Sequence, residues 1–271
     1  MQNQAPHSTF RQCRLDPARA TALCAMLGDA KVFATGDVLP PFFHQIYFWD
    51  ARAEDALGRD GHPRVGNDLI PDTGFPRRMW AGGQLEFHAP LKAGISAERT
   101  SYCEAVTRKS GRRGPFALIR LRHEMRQSDE LCITEWQDLV FRPETDPDIT
   151  APEPPQSARN ETCSQTVRFS TTSLFRYSAL TFNGHRIHYD VDYAKAVEGY
   201  SGLVVHGPLL AQLLMLFAET RLGQLSAFQF RATAPLMHFE SAELCACGTD
   251  LWVRGPDGRQ CMTARAETQS I

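Results

Sequence analysis

Between His206 and Gly223 the chain carries a segment that cannot be left on a surface. From Pro208 to Leu222, the residues Leu209, Leu210, Leu213, Leu214, Leu216 and Phe217, with Ala211 and Ala218, cover nearly every direction around a helix. Proline suits a first helical turn, where its missing N–H has no partner to lose, and Gly223 makes a natural stop. A helix that is apolar on all sides must be enclosed by the rest of the protein. It is not a membrane span. The apolar run from Leu203 to Ala218 is broken by His206, Gly207, Pro208 and Gln212, whereas a bilayer asks for roughly 18 apolar residues in a row. The fold must therefore contain a layer that wraps one central helix.

Strands are the candidates for that layer, and they occur twice. In the first half, Leu85 to Leu91 opens a strand-rich stretch, followed by Ala97 to Val106, a turn at Ser110 to Gly114, and a strand from Phe116 to Met125. In the second half, Phe228 to Leu236 is followed by Glu243 to Val253, a turn at Gly255 to Gly258, and a strand from Gln260 to Glu267. Gly111 lies 21 positions after Pro90 and Gly255 lies 20 after Pro235, so order and spacing together argue for an internal duplication. Between the halves, Pro143 to Gln156 is proline-rich, acidic and without apolar periodicity, the composition of a semi-extended linker. The expected organisation is a first domain at 1–142, a linker at 143–159 and a second domain at 160–271. The expected class is α+β, a double hotdog: two fused hotdog domains, each an antiparallel sheet wrapping a central helix. The first half has a weaker helical counterpart around Pro41 to Trp49, and Asp16 to Leu27 reads as a separate surface helix.

Charge and composition exclude several classes. The formal net charge of −2 gives no basis for non-specific nucleic-acid binding, and no segment suits a membrane. Met1 to Ser8 is polar, with no apolar signal core or cleavage site, although the Arg-bearing, acid-poor stretch up to Asp16 also matches an organelle transit peptide. The eight cysteines form no CxxC pair, which points to reduced thiols in a cytoplasmic protein rather than to a disulfide framework or a metal site. A monomeric pseudo-dimer or a homodimer is expected.

The polar chemistry concentrates in Phe182-Asn183-Gly184-His185-Arg186-Ile187-His188-Tyr189-Asp190, followed by Asp192 and Tyr193. His185 and His188, three apart, have no third ligand at a telling spacing, so no metal is expected. Gly202 to Pro208 then leads into the enclosed helix. The N-terminus of that helix has free N–H groups and a positive dipole end, and Gly207 lets a ligand come close to the backbone. A thioester oxygen needs such a place when negative charge gathers on it. An acid–base histidine beside exposed amides has the parts of a hydratase.

At these residues the sequence resembles a known group. Asn183-Gly184-His185-Arg186-Ile187-His188 stands where MaoC-like, (R)-specific enoyl-CoA hydratases carry Asp-x-Asn-Pro-x-His, and His206-Gly207-Pro208-Leu209 stands where they carry His-Gly before the hotdog helix. The longer string, Phe175 to Asp190 with Glu198-Gly199-Tyr200 and Gly202 to Leu209, resembles the type 2 hydroxyacyl-thioester dehydratases. It is similar above all to the mesaconyl-CoA and itaconyl-CoA (3-methylfumaryl-CoA) hydratases. Arg77 to Gly83 and Lys109 to Arg112 resemble the N-terminal domain of that group, so the likeness runs from about Arg77 to the C-terminus.

The resemblance makes His188 the catalytic histidine and Gly207 the glycine whose amide polarises the thioester. Asn183 occupies the place of the usual catalytic aspartate. An amide cannot serve as a general base, though it can orient water. His185, in the place of the motif's asparagine, and Asp190 are candidates for the missing function. Arg231, Arg77, Arg78, Lys109, Arg186 and His206 are candidates for binding CoA phosphate or a substrate carboxylate; guanidinium holds either bidentately. The first domain, degenerate at its own motif, is expected to cover the acyl chain. The implied reaction is hydration of a branched dicarboxylyl-CoA to citramalyl-CoA, with CoA arriving as part of the substrate and no other cofactor. Dehydration of a 3-hydroxyacyl thioester is the same chemistry reversed. Thioester hydrolysis lacks a carboxylate at 205–210, and a non-catalytic acyl-CoA binding module is the alternative of a different kind.

Overall fold

The computed structural model describes residues 8–111, 114–144 and 153–268. Most of the expected linker, Arg112 of the Lys109 to Arg112 string, and Met1 to His7 lie outside them. Strand β1 (Ser8–Arg14) leads into helix α1 (Pro17–Leu27), and β2 (Arg77–Phe87), β3 (Ser96–Gly111), β4 (Gly114–Gln127) and β5 (Glu130–Arg142) complete the first half. The second half runs β6 (Cys163–Arg168), α2 (Thr171–Thr181), α3 (Val191–Ala196), α4 (Gly207–Leu222), β7 (Leu225–Ala232), β8 (Ser241–Cys247), β9 (Asp250–Arg254) and β10 (Gln260–Thr268). All ten strands form one antiparallel sheet in the order β1-β3-β4-β5-β2-β7-β10-β9-β8-β6. That order reads the same from both ends when β1 is matched to β6, β3 to β8, β4 to β9, β5 to β10 and β2 to β7.

This matching corrects the register of the repeat. The turn at Ser110 to Gly114 joins β3 to β4, so its counterpart is the β8–β9 turn around Gly248. The turn at Gly255 to Gly258 instead joins β9 to β10 and answers to Ser128-Asp129. Strands β3 and β4 have 16 and 14 residues against 7 and 5 in β8 and β9, so equal spacing along the chain reaches different hairpins. The run Glu243 to Val253 is accordingly two strands.

The enclosed helix is α4. Leu209, Leu210, Leu214, Met215, Phe217 and Ala218 are buried, and it packs against β7, β8, β9 and β10. Its one buried polar residue, Gln212, donates from Nε2 to the Pro41 carbonyl at 2.8 Å and so ties the helix to the first half. Among the described residues the first half holds no helix of comparable length in the matching place. Only a 3₁₀ turn at Phe43–Ile46 sits there, with Phe42, Phe43, Ile46 and Tyr47 fully buried. Bulky aromatics fill the volume that a helix would occupy. Helix α1 is less superficial than expected: Ala20, Leu23 and Cys24 are buried and it packs against α2, its counterpart after the other edge strand. The halves meet where β2 pairs with β7, from Gly82 opposite Arg231 to Glu86 opposite Ala227. A Cβ at Gly82 would lie 2.6 Å from the Phe230 carbonyl, so the joint requires glycine there.

Candidate active site

The loop between α2 and α3 is built by local hydrogen bonds. Phe182 takes a left-handed conformation at the end of α2 and stacks on Trp49 of the first half at 4.9 Å. Asn183 Oδ1 accepts the backbone N–H of His185 at 3.0 Å. The amide that replaces the motif's aspartate therefore holds the loop with its oxygen, and its remaining polar atom is an N–H₂ donor. Arg186 forms a two-pronged pair with Asp190, at 3.0 and 2.7 Å, and lies over the Tyr193 ring. Asp190 also caps α3 through Tyr193 N–H. Both residues are thus committed to structure.

His188 ends the short 3₁₀ turn Arg186–His188 and is 6% exposed. Its Nδ1 lies 2.8 Å from the Val204 carbonyl oxygen, which can only accept; Nδ1 therefore carries the proton and Nε2 presents a lone pair. Burial pushes His188 down to about 3, against the raising effect of the Val204 bond, so the ring is neutral near pH 7. His206 stacks on it at 3.6 Å, fully buried, with Nε2 2.8 Å from Ser178 Oγ. His206 supports His188 and does not face solvent. Burial, with His62 and His188 close by, also drives His185 far below the usual histidine range. At the head of α4, Gly207 comes nearest to Trp80 of β2, whose carbonyl oxygen would be 3.9 Å from a Cβ.

Two groups from the first half complete the cluster, and sequence reading passed over both. His62 places its ring 4.4 Å from that of His185. Asp60 accepts from His62 twice, through Oδ1 from the backbone N–H and through Oδ2 from Nδ1, each at 3.1 Å. The loop docks glycine to glycine. Gly61, at φ +85°, and Gly184 approach so closely that a Cβ on Gly61 would stand 2.0 Å from the Gly184 oxygen. Arg186 N–H adds a bond to the Asp60 carbonyl at 2.9 Å. One ligand atom each from Asp60, His62 and His185 lie within 4.8 Å of one another, a spacing that could hold a metal. Both Asp60 oxygens are, however, already engaged by His62.

A cavity of about 240 Å³ opens between the halves and is lined by His62, Arg78, Arg99, His123, Asn183 and Pro208, among others. Of the predicted cations only Arg78 lines it. Among the described residues Arg78 has neither an ion pair nor a hydrogen-bond partner, and burial lowers its pKa against the pull of Asp60 and Asp50. Arg99, not foreseen from sequence, donates to the Phe48 carbonyl at 2.9 Å but keeps a buried, unpartnered Nε, and burial brings it down to about 10. His123 bonds Ser101 through Nδ1 at 2.7 Å and leaves Nε2 buried without a partner, while burial lowers it to about 4. Arg77 is taken up by Glu198, at 2.9 and 2.7 Å. Arg231 stands exposed on β7, and Lys109 stands exposed on β3 opposite Phe116.

Known proteins resemble this chain in sequence and in fold. The family model for hydroxyacyl-thioester dehydratase type 2 matches residues 42–238. A mesaconyl-C(4)-CoA hydratase from Chloroflexus aurantiacus is 41% identical over 257 residues, covering 92% of this chain and 91% of the relative. Among solved structures, a MaoC-like dehydratase from Phytophthora capsici superposes with a TM-score of 0.72 at 12% identity, covering 99% of this chain and 98% of that one. A Mycobacterium tuberculosis protein described as a double hotdog does so with a TM-score of 0.59 at 13% identity, covering 96% and 94%. The last two bear on the fold alone.

Proposed function

The chain belongs to the hydroxyacyl-thioester dehydratase type 2 family, and from that premise we propose that it adds water across the double bond of an enoyl-CoA bearing a free carboxylate, of the mesaconyl type. The observation that carries this reading is the cavity beside Asn183, which Arg78 and Arg99 line, while Asp50, the carboxylate in the same lining, is already paired with Arg11 and Arg52. Arg78 and the Nε of Arg99 are unsatisfied there, with the Nε2 of His123 close by. Desolvated cations without partners are costly unless a ligand supplies the charge. A plain alkyl chain cannot supply it; a carboxylate can.

The chemistry follows from the residues. The thioester oxygen gathers negative charge as the water oxygen bonds to C3, and the Gly207 N–H at the positive end of α4 stabilises it. His188, neutral and with a lone pair on Nε2, accepts a hydrogen bond from the attacking water and orients it. Asn183 donates from its N–H₂ group. CoA enters as part of the substrate, and the residues call on no further cofactor for this step. The reverse reaction, dehydration of a 3-hydroxyacyl thioester, uses the same groups, and its direction follows substrate supply.

Purified full-length protein tests the proposal when mixed with mesaconyl-CoA thioesterified at the carboxyl distant from the methyl group. Loss of enoyl-thioester absorbance, with the thioester intact and a hydroxyl gained, is the expected result. Release of free CoA would indicate a thioesterase instead. Saturable binding without turnover would indicate a binding module.

A further inference from the structure

Hydration requires a proton to leave the water and a proton to reach C2, and the motif's usual carboxylate is Asn183 here. An amide cannot do it. We propose that His62, set by Asp60, is the base that takes the proton of the attacking water and returns it to C2, so that the first half of the chain supplies a catalytic group to the second. The inference rests on the hydratase reading.

Three observations on geometry carry it. His62 and Asn183 line the same cavity, so His62 faces the space that the missing carboxylate would serve. Asp60 accepts from Nδ1, which fixes the tautomer and leaves Nε2 as a lone pair without a partner among the described residues. A carboxylate behind a histidine stabilises the imidazolium when it forms, as in hydrolase triads. Finally, the loop is held to the motif loop by the Gly61–Gly184 contact and the Arg186–Asp60 backbone bond, so the ring is placed rather than free.

The other imidazoles fit the task less well. His206 is fully buried on Ser178. His185 has two imidazoles beside it, which penalise any charge it gains. His188 has only a backbone carbonyl behind it and holds water better than it holds a proton. The charged and titratable groups around His62 are Asp60 on its own loop, Arg78 on β2, and His185 and His188 from the second half. Burial first, and then Arg78, lower its pKa, while Asp60 raises it. The resting pair is thus carboxylate and neutral imidazole, the state a base must start from.

The step balances. As the water oxygen bonds to C3, a water proton passes to His62 Nε2. The C2=C3 pair moves into the thioester as an enolate, with its oxygen at the Gly207 N–H. The imidazolium then gives its proton to C2, the enolate pair forms the C2–H bond, and His62 and Asp60 return to their starting states.

The experiment uses the full chain with His62→Gln and Asp60→Asn, following mesaconyl-CoA hydration against pH, with circular dichroism to confirm folding. Glutamine approximates the size and keeps a hydrogen-bonding tip but cannot take up and return a proton. The expected result for His62→Gln is a kcat about 100- to 10,000-fold lower with KM little changed. Asp60→Asn lowers kcat by at least about tenfold and moves the acid limb of the kcat profile to lower pH, because the raising partner is gone. A purely structural role would leave that limb in place. Turnover within about threefold of wild type in His62→Gln overturns the dyad but leaves the hydratase reading standing. Activity abolished by a chelator and restored by Zn²⁺ overturns it in favour of a metal on the same three residues. A wild-type protein inert toward every enoyl-CoA sinks the reading and the dyad together.

Discussion

Replacing Gly61 with alanine tests whether the two halves must dock to build the site. The new Cβ would sit 2.0 Å from the Gly184 carbonyl oxygen, where ordinary contact begins near 3.4 Å, so the loops must part by about 1.4 Å. The φ of +85° adds a left-handed penalty of about 1–2 kcal/mol for any L side chain. Misplacement of about 1 Å in a catalytic array costs about 100-fold in rate, so kcat is expected to fall by about that factor or more. The melting temperature drops by only a few degrees, about 2–4 °C per kcal/mol for a chain approaching this size. Gly184→Ala is the graded control. Its Cβ meets the Gly61 oxygen at 2.6 Å and needs only about 0.8 Å of relief from the same 3.4 Å limit, without positive-φ strain. Steady-state kinetics with mesaconyl-CoA, alongside thermal melts, should rank wild type above Gly184→Ala above Gly61→Ala in kcat. Both variants turning over at wild-type rates would refute the claim that the Asp60–His62 loop belongs to the site.

Further expectations concern the remaining cluster. His188→Gln is expected to lower kcat by about 100- to 10,000-fold while near-ultraviolet circular dichroism stays native; turnover close to wild type removes His188 from the chemistry. Arg99→Gln is expected to reduce kcat/KM for mesaconyl-CoA by more than about tenfold and to leave crotonyl-CoA unaffected, and equal losses on both substrates would assign Arg99 to the scaffold. The buried histidines make the fold acid-sensitive. His123 is held down to about 4 and His188 to about 3, so between those values and the ordinary 6.5 the unfolded chain binds protons that the folded one does not. Stability is therefore full above about pH 7 and declines as pH falls, by about 1.4 kcal/mol per pH unit for each such histidine. Urea unfolding between pH 7 and 5 measures the slope, and an unchanged midpoint would contradict the burial argument.

What could be read ahead depended on whether the signal was local. The enclosed helix announced itself because an all-round apolar segment has only one stable location, and α4 lies where that argument puts it. The duplication was legible as well, but spacing alone misplaced its register, because hairpin length is set by what each strand must cover. The loop from Asn183 to Asp190 was legible as a polar knot. Its internal economy was not, since the pairing of Arg186 with Asp190 and of Arg77 with Glu198 depends on which charges meet in space. His62 lies more than a hundred residues from the motif it joins. Its sole local mark is Asp60-Gly61-His62, an acid and an imidazole flanking a glycine, which means little until Gly184 is found against Gly61. Arg99 was hidden differently: it sits in a mixed strand where arginine usually faces water, and the burial of its Nε depends on residues distant in sequence.

The central claim is that the cavity is made for an enoyl-CoA ending in a carboxylate. Its most direct test is the ratio of kcat/KM for mesaconyl-CoA, thioesterified at the carboxyl distant from the methyl, to that for crotonyl-CoA. Apolar discrimination by one carbon yields about 10- to 200-fold, whereas a site that leaves buried polar groups unpaired discriminates by up to about 10,000-fold or more. A ratio well above about 200 is the predicted result. A ratio near one would contradict it, because desolvated Arg78 and Arg99 would then be gaining nothing from the substrate's charge.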